Sequence, residues 1–194
     1  MTKTSNAMTD FVQPIAILTA ICLVCAALLA YLNSVTKPII EATEARIAEE
    51  AMSEVLAEAD GSFAKLEIEL PEVYDDGTEN FITEIYEAEN GAGYVFMITG
   101  NGYGGKGTMK LITSVAPDGS IIATKTLQHA ETAGMGSKTA DDTYRLQWAG
   151  ITADTMGDVD AVTGATVTSG AIKEGVRSAL LAAGLDPTGF EVEP

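Results

Sequence analysis

The chain begins with one long apolar stretch and continues as short segments in which polar and apolar residues alternate. From Pro14 to Leu32 no residue is charged. As a helix, a stretch of this length spans roughly 30 Å, the thickness of the hydrocarbon core of a bilayer. The pattern therefore predicts a flexible N-terminus over residues 1–13 and a transmembrane helix over residues 14–32.

A cleaved signal peptide is the alternative interpretation of this stretch. The segment before it carries a single basic side chain, Lys3, and its end at residues 31–33 lacks the small side chains of a cleavage site. Both features favour a retained membrane anchor. The charge rule does not decide its orientation, because Lys3 and the amino terminus on one side are balanced by Lys37 and Arg46 on the other.

The residues after the apolar stretch predict a helical linker. Asn33 to Pro38 predict a short break, since Asn and Pro commonly interrupt helices. Residues 39–59 are then acidic and place Ile47, Ala51 and Val55 on one helix face. We expect residues 33–62 to form a stalk between the anchor and the following domain.

The next part of the chain changes to the pattern of strands. Four segments rich in β-branched and aromatic residues are separated by Gly, Pro and Asp, at residues 81–88, 94–99, 108–115 and 120–127. Residues 116–119 read Ala-Pro-Asp-Gly, a hairpin signal in which Pro sets the turn and Gly accepts a positive φ. An antiparallel sheet is therefore predicted.

Helical patterns follow the strands at residues 139–148 and again from Thr168 or Ser169 onward, where apolar residues recur every three to four positions. The whole pattern predicts an α+β fold: a single N-terminal transmembrane helix, then one domain over residues 63–186 whose antiparallel sheet is flanked by helices. Residues 187–194 form an acidic tail.

The net charge and the positions of the cysteines argue against nucleic-acid binding and against a thiol-based site in the domain. The net charge is −17, and the acidic excess lies beyond residue 33, which argues against nucleic acid as a partner. Both cysteines, Cys22 and Cys25, lie in the apolar stretch, so the domain has no thiol for a disulfide or a metal site. On one helix face the pair could serve a redox site, but packing is the favoured interpretation. We expect no metal site.

A glycine-rich segment from Gly100 to Lys106 has part of the spacing of a phosphate-binding loop. Gly107 stands where that loop needs Ser or Thr, and a predicted strand follows where it needs a helix. The segment is therefore interpreted as a glycine-rich connection between strands.

The strongest candidate for a functional site is the segment from Asp160 to Ser169, in which threonines and a serine surround a glycine just before a helical pattern. Two interpretations stay open on the residues alone. Thr168 or Ser169 could be an N-cap and nothing more. Alternatively, the helix start, with its free N–H groups and positive dipole end, could bind a phosphate beside the Thr166 hydroxyl.

A second polar cluster, residues 129–136, contains the only histidine of the chain. His129 beside Glu131 invites a general-base interpretation. The favoured alternative is structural, with Glu131 and Thr132 hydrogen-bonded to backbone in a loop, because no nucleophile is spaced near them. We predict no catalytic acid, base or nucleophile. Trp148 is predicted to be a core residue, with stacking against a bound ring as the alternative.

The segment Asp-x-x-Thr-Gly-Ala-Thr-x-Thr-Ser closely resembles the flavin-attachment motif of a known family. This is the FMN-binding domain that the G subunit of the Rnf electron-transport complex shares with the C subunit of the sodium-pumping NADH:quinone reductase. The resemblance implies that Thr166 carries FMN through a phosphoester bond. It implies further cofactor-binding residues, which are Asp160, Thr163, Gly164, Ala165, Thr168 and Ser169.

Two other segments carry the same resemblance. Residues 129–136 look like the family's His-x-Glu-Thr-x-Gly-x-Gly stretch beside the flavin, with Ala133 where proline is frequent. This implies that Glu131 and Thr132 are flavin neighbours. Residues Asn33, Thr36 and Ile39 resemble the family's junction after the anchor.

The length of the chain fits the Rnf-type G subunit better than the C subunit of the quinone reductase. The resemblance implies a covalent-FMN electron carrier in a membrane-bound Rnf-type ferredoxin:NAD oxidoreductase complex that translocates sodium ions or protons. It implies an FMN domain on the extracytoplasmic side of the cell membrane. The implied partners are the other subunits, the bilayer and a separate magnesium-dependent flavin transferase. Two alternatives remain: a stand-alone extracellular flavoprotein reductase, and a membrane-tethered binding module without catalysis.

Overall fold

A computed structural model describes residues 7–184 of the protein. The acidic tail expected at residues 187–194 lies outside the described residues. The chain divides into two compact units, with the boundary between Arg46 and Ile47.

The first unit consists of the helix α1, which spans Ala7–Val55 and whose last turns, from Ile47 on, belong to the second unit. It is the one helix among the described residues that is long and apolar enough to cross a membrane, and side chains such as Leu18 and Leu29 are exposed along it. The break expected at residues 33–38 is wrong, since α1 continues through them. Pro38 removes one N–H donor, but the apolar stretch before it and the Glu- and Ala-rich stretch after it both favour helix.

The second unit is built on a five-stranded antiparallel sheet in which the strands are neighbours in chain order. The strands are β1 (Phe63–Leu66), β2 (Ile82–Ala88), β3 (Tyr94–Gly102), β4 (Gly105–Val115) and β5 (Ile121–His129). The four predicted strands are confirmed as β2 to β5. The short edge strand β1 was not predicted, because four residues are too few to show a period.

Two tight turns connect β3 to β4 and β4 to β5. The turn at residues 116–119 is confirmed: the Ala116 N–H donates to Ser120 O (2.8 Å), and Gly119 has a φ of 82°. The glycine-rich segment is a tight β3–β4 hairpin in which Gly102 pairs with Gly105. The next element is a strand, so its interpretation as a connection rather than a phosphate-binding loop is confirmed.

Each face of the sheet is covered by a helix. On one face, α3 (Thr166–Gly184) packs Ile172 and Val176 against β3 and β4, close enough that an added Cβ on Gly175 would lie 2.7 Å from Ile98 Cγ2. On the other face, the last turns of α1 bury Val55 against the strands, and Ser114 Oγ donates to the Val55 carbonyl (2.5 Å). This burial of apolar surface on both faces stabilises the unit.

The segment between β5 and α3 consists of short helical turns. The predicted helix over residues 139–148 is divided into a 3-10 helix Gly136–Ala140, α2 (Asp142–Arg145) and a 3-10 helix Leu146–Trp148. The extended backbone of Asp141 causes the interruption. Trp148 is fully buried, as predicted, and its ring packs edge-to-face on Tyr144 with 6.1 Å between ring centroids.

Candidate functional site

The segment around Thr166 forms a tight turn that leads directly into α3. Gly164 has a φ of 80°, which favours glycine, and the Ala165 N–H donates to Val162 O (2.9 Å). The first helical hydrogen bond then runs from the Ser169 N–H to Ala165 O (2.9 Å). Thr166 is the first residue of the helix and is exposed. Its hydroxyl therefore lies at the positive end of the helix, beside first-turn N–H groups that have no partner within the helix.

Thr168 and Ser169 are not N-caps, so that expectation was wrong. The helix begins two residues before Thr168, and both side chains are buried. The Thr168 hydroxyl donates to Glu131 Oε2 (2.7 Å), and Ser169 Oγ accepts the Val162 N–H (3.0 Å). Because the Gly164 turn already sets the helical path, these hydroxyls lie inside the first turn and make tertiary contacts instead.

Glu131 joins three segments that are distant in sequence. Its Oε1 accepts the backbone N–H of Tyr103 (3.0 Å) in the β3–β4 hairpin, while its Oε2 accepts the Thr168 hydroxyl. An added Cβ on Gly102 would lie 2.0 Å from Oε1, and one on Gly136 would lie 2.4 Å from Oε2. The half-buried carboxylate is therefore hydrogen-bonded on both oxygens, and its bond to the Tyr103 backbone agrees with the structural interpretation.

The other predicted residues lie in exposed loops around this centre. The Asp160 N–H donates to Gln147 Oε1 (2.9 Å), and its carboxylate is exposed. Thr132 is exposed, and its carbonyl accepts the Met135 N–H (3.1 Å). His129 is exposed at the end of β5, and its Nδ1 accepts the Glu131 N–H (3.3 Å). Within the part of the chain that the structure describes, no hydrogen bond joins any of these side chains to Thr166.

Three exposed apolar side chains near Thr166 were missed from the sequence. Tyr103, Met135 and Val167 are 76%, 51% and 55% exposed. Val167 follows Thr166, Met135 Cε lies 3.9 Å from where a Cβ on Gly164 would be, and the Tyr103 backbone is bonded to Glu131. Exposed apolar side chains on the three segments that meet at Glu131 are candidates for a binding surface. Only their contacts in the fold distinguish these residues from scattered surface apolar residues.

Tyr144 lies on the buried side of the helix start, next to Ser169. Burial raises the pKa of Tyr144 to about 12, so its phenol stays protonated at physiological pH. Its hydroxyl and the Trp148 indole N–H are both buried, and neither makes a hydrogen bond of good geometry among the described residues, although Ser169 lies beside the Tyr144 hydroxyl. Charge near Thr166 therefore comes from Glu131, the exposed loops and the helix end.

Comparison with known proteins places the site in a defined class. Residues 102–181 match the family described as FMN-binding domain, and this range contains the β3–β4 hairpin, Glu131 and the Thr166 turn. The fold and the site thus define an FMN-binding domain that follows an apolar N-terminal helix.

Two relatives resemble the chain over most of its length. The first is the G subunit of the ion-translocating oxidoreductase complex of Methanosarcina acetivorans, 30% identical over 181 residues, which cover 88% of this chain and 93% of the relative. The second is the G subunit of the proton-translocating ferredoxin:NAD(+) oxidoreductase complex of Clostridium ljungdahlii, 28% identical over 175 residues, which cover 84% and 86%. The chain belongs to the family of G subunits of ion-translocating oxidoreductase complexes, which confirms the family expected from residues 160–169.

Proposed function

We propose that this chain is the covalent-FMN electron-carrier subunit of a membrane-bound ferredoxin:NAD oxidoreductase complex that translocates sodium ions or protons. The observation that carries the proposal is the position of Thr166. It is an exposed hydroxyl at the first position of α3, inside the segment that matches the FMN-binding domain.

The residues around Thr166 suit the two chemically different ends of FMN. The Thr166 hydroxyl would hold the phosphate as an ester, next to the first-turn N–H groups of α3 and the positive helix end. Tyr103, Met135 and Val167 would offer apolar surface to the ring system. Thr163, Gly164 and Ala165 shape the turn that presents the hydroxyl, while Thr168, Ser169 and Glu131 anchor it.

FMN, when bound, supplies the electron chemistry, accepting and donating one or two electrons. The chain has only to hold the flavin, orient it and limit its contact with water. This division of roles is consistent with a site whose side chains form turns and anchors rather than an acid, base and nucleophile set. Thr132 and Asp160, on the exposed loops, would border the cofactor.

Attachment requires one transfer reaction, carried out by a separate magnesium-dependent flavin transferase. Thr166 Oγ attacks the flavin-bearing phosphorus of FAD, so an Oγ–P bond forms and the phosphoanhydride bond breaks. AMP leaves, and the hydroxyl proton passes to a base of the transferase. An exposed threonine can reach the active site of another protein, whereas Thr168 and Ser169 are buried. We propose that Asp160, exposed on the same segment, contributes to recognition by that enzyme.

A covalent bond would keep the cofactor on a surface of exposed side chains. The candidate surface is formed by exposed side chains, and a cofactor held on such a surface by affinity alone dissociates when its free concentration falls below the dissociation constant. This argument applies most strongly outside the cytoplasm, where free FMN is dilute. We therefore place the FMN domain on the extracytoplasmic side, with the apolar part of α1 as a single-pass anchor in the cell membrane.

Protease accessibility tests this orientation. Protease added to intact cells is expected to degrade the domain beyond Ile47, because it faces outward. Protection in intact cells, with cleavage only after lysis, would show that the domain is cytoplasmic.

Flavin absorbance tests the function itself. The chain, co-expressed with its flavin transferase, is expected to be yellow and to retain its absorbance after denaturation and precipitation, and to co-purify with other membrane subunits. A colourless chain would favour a membrane-tethered binding module. A yellow chain that purifies without other subunits would favour a stand-alone extracellular reductase.

A further inference from the structure

We propose that Glu131 is a positioning residue: through Thr168 it holds the first turn of α3, and with it the Thr166 hydroxyl, in the orientation that flavin transfer requires. This inference rests on the proposed attachment of FMN to Thr166. It assigns Glu131 a role that its sequence motif does not indicate, since the motif marks it only as a neighbour of the flavin.

Both oxygens of Glu131 are bonded to protein donors from other segments. Oε1 accepts the N–H of Tyr103, 28 residues away in sequence, at 3.0 Å. Oε2 accepts the hydroxyl of Thr168, 37 residues away, at 2.7 Å. Both distances are within the ordinary range for hydrogen bonds. The carboxylate thus fixes the helix start to the β3–β4 hairpin.

The space around the carboxylate shows that this arrangement is close-fitting. Gly102 and Gly136 lie on its two sides, and a Cβ on either would come within 2.4 Å of one of the carboxylate oxygens. Gly136 also lies close to Thr168, since its added Cβ would be 2.9 Å from Thr168 Oγ1. Glycine at both positions therefore leaves the space in which the Glu131 carboxylate lies against the helix start.

The Ser169–Val162 bond holds the turn before α3 locally, and the Glu131–Thr168 bond joins the same turn to a distant loop. The Thr166 side chain is exposed, and the first N–H groups of a helix have no partner within the helix, so the first turn frays easily. Thr168 lies two residues further on and is buried. Its bond to Glu131 ties this turn to the sheet, so loss of that bond would let Thr166 move by distances that strongly affect a transfer reaction.

The test makes two measurements on the full chain. Covalent FMN per chain is measured by intact mass after co-expression with a flavin transferase. The transfer rate is measured on the purified apo-protein, to which the transferase, FAD and Mg²⁺ are added. Glu131→Ala removes both contacts. Glu131→Gln retains them, because its carbonyl oxygen can accept the Tyr103 N–H while its amide donates to Thr168 Oγ1. Ser178→Ala is the matched control, because it also removes a buried hydroxyl from α3. That hydroxyl donates to Gly175 O (2.7 Å), within the helix and away from Thr166.

We expect Glu131→Ala to slow transfer by about tenfold or more, while Glu131→Gln and Ser178→Ala stay within about threefold of the unaltered chain. Thr168→Val is expected to slow transfer to a similar extent as Glu131→Ala, because it removes the same hydrogen bond. Equal rates for Glu131→Ala and the unaltered chain would overturn the proposal. Equal loss in Glu131→Gln and Glu131→Ala would overturn it as well, because charge rather than anchoring would then decide.

Amide hydrogen exchange on the apo-protein separates this inference from the proposed function. Glu131→Ala is expected to speed exchange at residues 166–168 without changing exchange in β3 and β4, and Ser178→Ala is expected to leave residues 166–168 unchanged. Unchanged exchange in Glu131→Ala would overturn the positioning role even where FMN is attached. Absence of FMN from the unaltered chain, together with faster exchange in Glu131→Ala, would refute the proposed attachment and leave the anchor established.

Discussion

The Thr168 hydroxyl donates a 2.7 Å hydrogen bond to Oε2 of Glu131, which lies 37 residues earlier in the chain. This contact means that the start of α3 is stabilised by a distant loop rather than by a local cap. Thr166, two residues before Thr168, remains exposed while its neighbour is buried. Thr168 thus anchors the turn, and Thr166 in the same turn stays available for modification.

Two glycines of α3 are expected to respond oppositely to the same change. Gly175→Ala should destabilise the domain by about 1–3 kcal/mol, because the new Cβ would lie 2.7 Å from Ile98 Cγ2. Gly170→Ala should stabilise it by about 0.5–1 kcal/mol, because the space around Gly170 is open and alanine favours helix. Denaturant unfolding in detergent measures both. If the two substitutions changed the free energy of unfolding equally, the close approach of α3 to β3 at Gly175 would be contradicted.

The buried hydroxyl of Tyr144 is expected to contribute nothing to stability. Ser169 is its polar neighbour, but no hydrogen bond of good geometry reaches the hydroxyl among the described residues, so Tyr144→Phe should leave the free energy of unfolding unchanged or raise it by up to about 1 kcal/mol. Tyr86→Phe is the matched control, since the Tyr86 hydroxyl donates to Glu84 Oε2 (2.9 Å) and should cost about 1 kcal/mol. A clear loss in Tyr144→Phe would reveal a bound water or other partner.

Glu54 is expected to make the stability of the domain pH-dependent. A side-chain hydrogen bond from Lys125, aided by Arg145, holds the Glu54 pKa below its ordinary value of 4.5, against the opposite effect of burial. Because the pKa of Glu54 is lower in the folded state, the ionised carboxylate stabilises the fold at pH values above the unfolded-state pKa. This contribution is lost as the pH falls through the folded-state pKa. Because Glu54 is about half exposed, the effect should stay below about 1 kcal/mol.

The corresponding measurement compares Glu54→Gln with the unaltered chain by denaturant unfolding at about pH 7 and about pH 3. The difference in unfolding free energy should be present at the higher pH and vanish at the lower one. Glu58→Gln, an exposed change on the adjacent turn, is the control and should show little effect at either pH. A difference that persists at low pH would mean that Glu54 acts by packing and not by charge.

The sequence predicted the sheet well because its signals are local. The alternating residues of β2 to β5 and the turn at residues 116–119 carry their pattern within a few positions. The helix start was placed two residues late, because Thr168 and Ser169 have the residue type of caps although their hydroxyls make tertiary contacts. Pro38 was misjudged for a similar reason, since a local break signal was outweighed by strong helix formers on both sides.

The arrangement of the candidate site was only partly predictable. The motif at residues 160–169 marked the right segment, and Thr166 has the exposure that attachment needs. The bond between Glu131 and Thr168 could not be inferred, because spacing along the chain does not show which loop meets which helix end. The exposure of Tyr103 and Met135 depends on the same tertiary contacts and was equally hidden.

The attachment of FMN to Thr166 is the central claim, and the intact mass of three variants tests it most directly. Thr166→Ala should fold normally, with a stability change of only about 1 kcal/mol, because it alters an exposed side chain. Co-expressed with a flavin transferase, the unaltered chain should carry one FMN phosphoester, Thr166→Ala none, and Asp160→Ala less than the unaltered chain. An unmodified unaltered chain, or a Thr166→Ala chain that still carries FMN at another residue, would contradict the account.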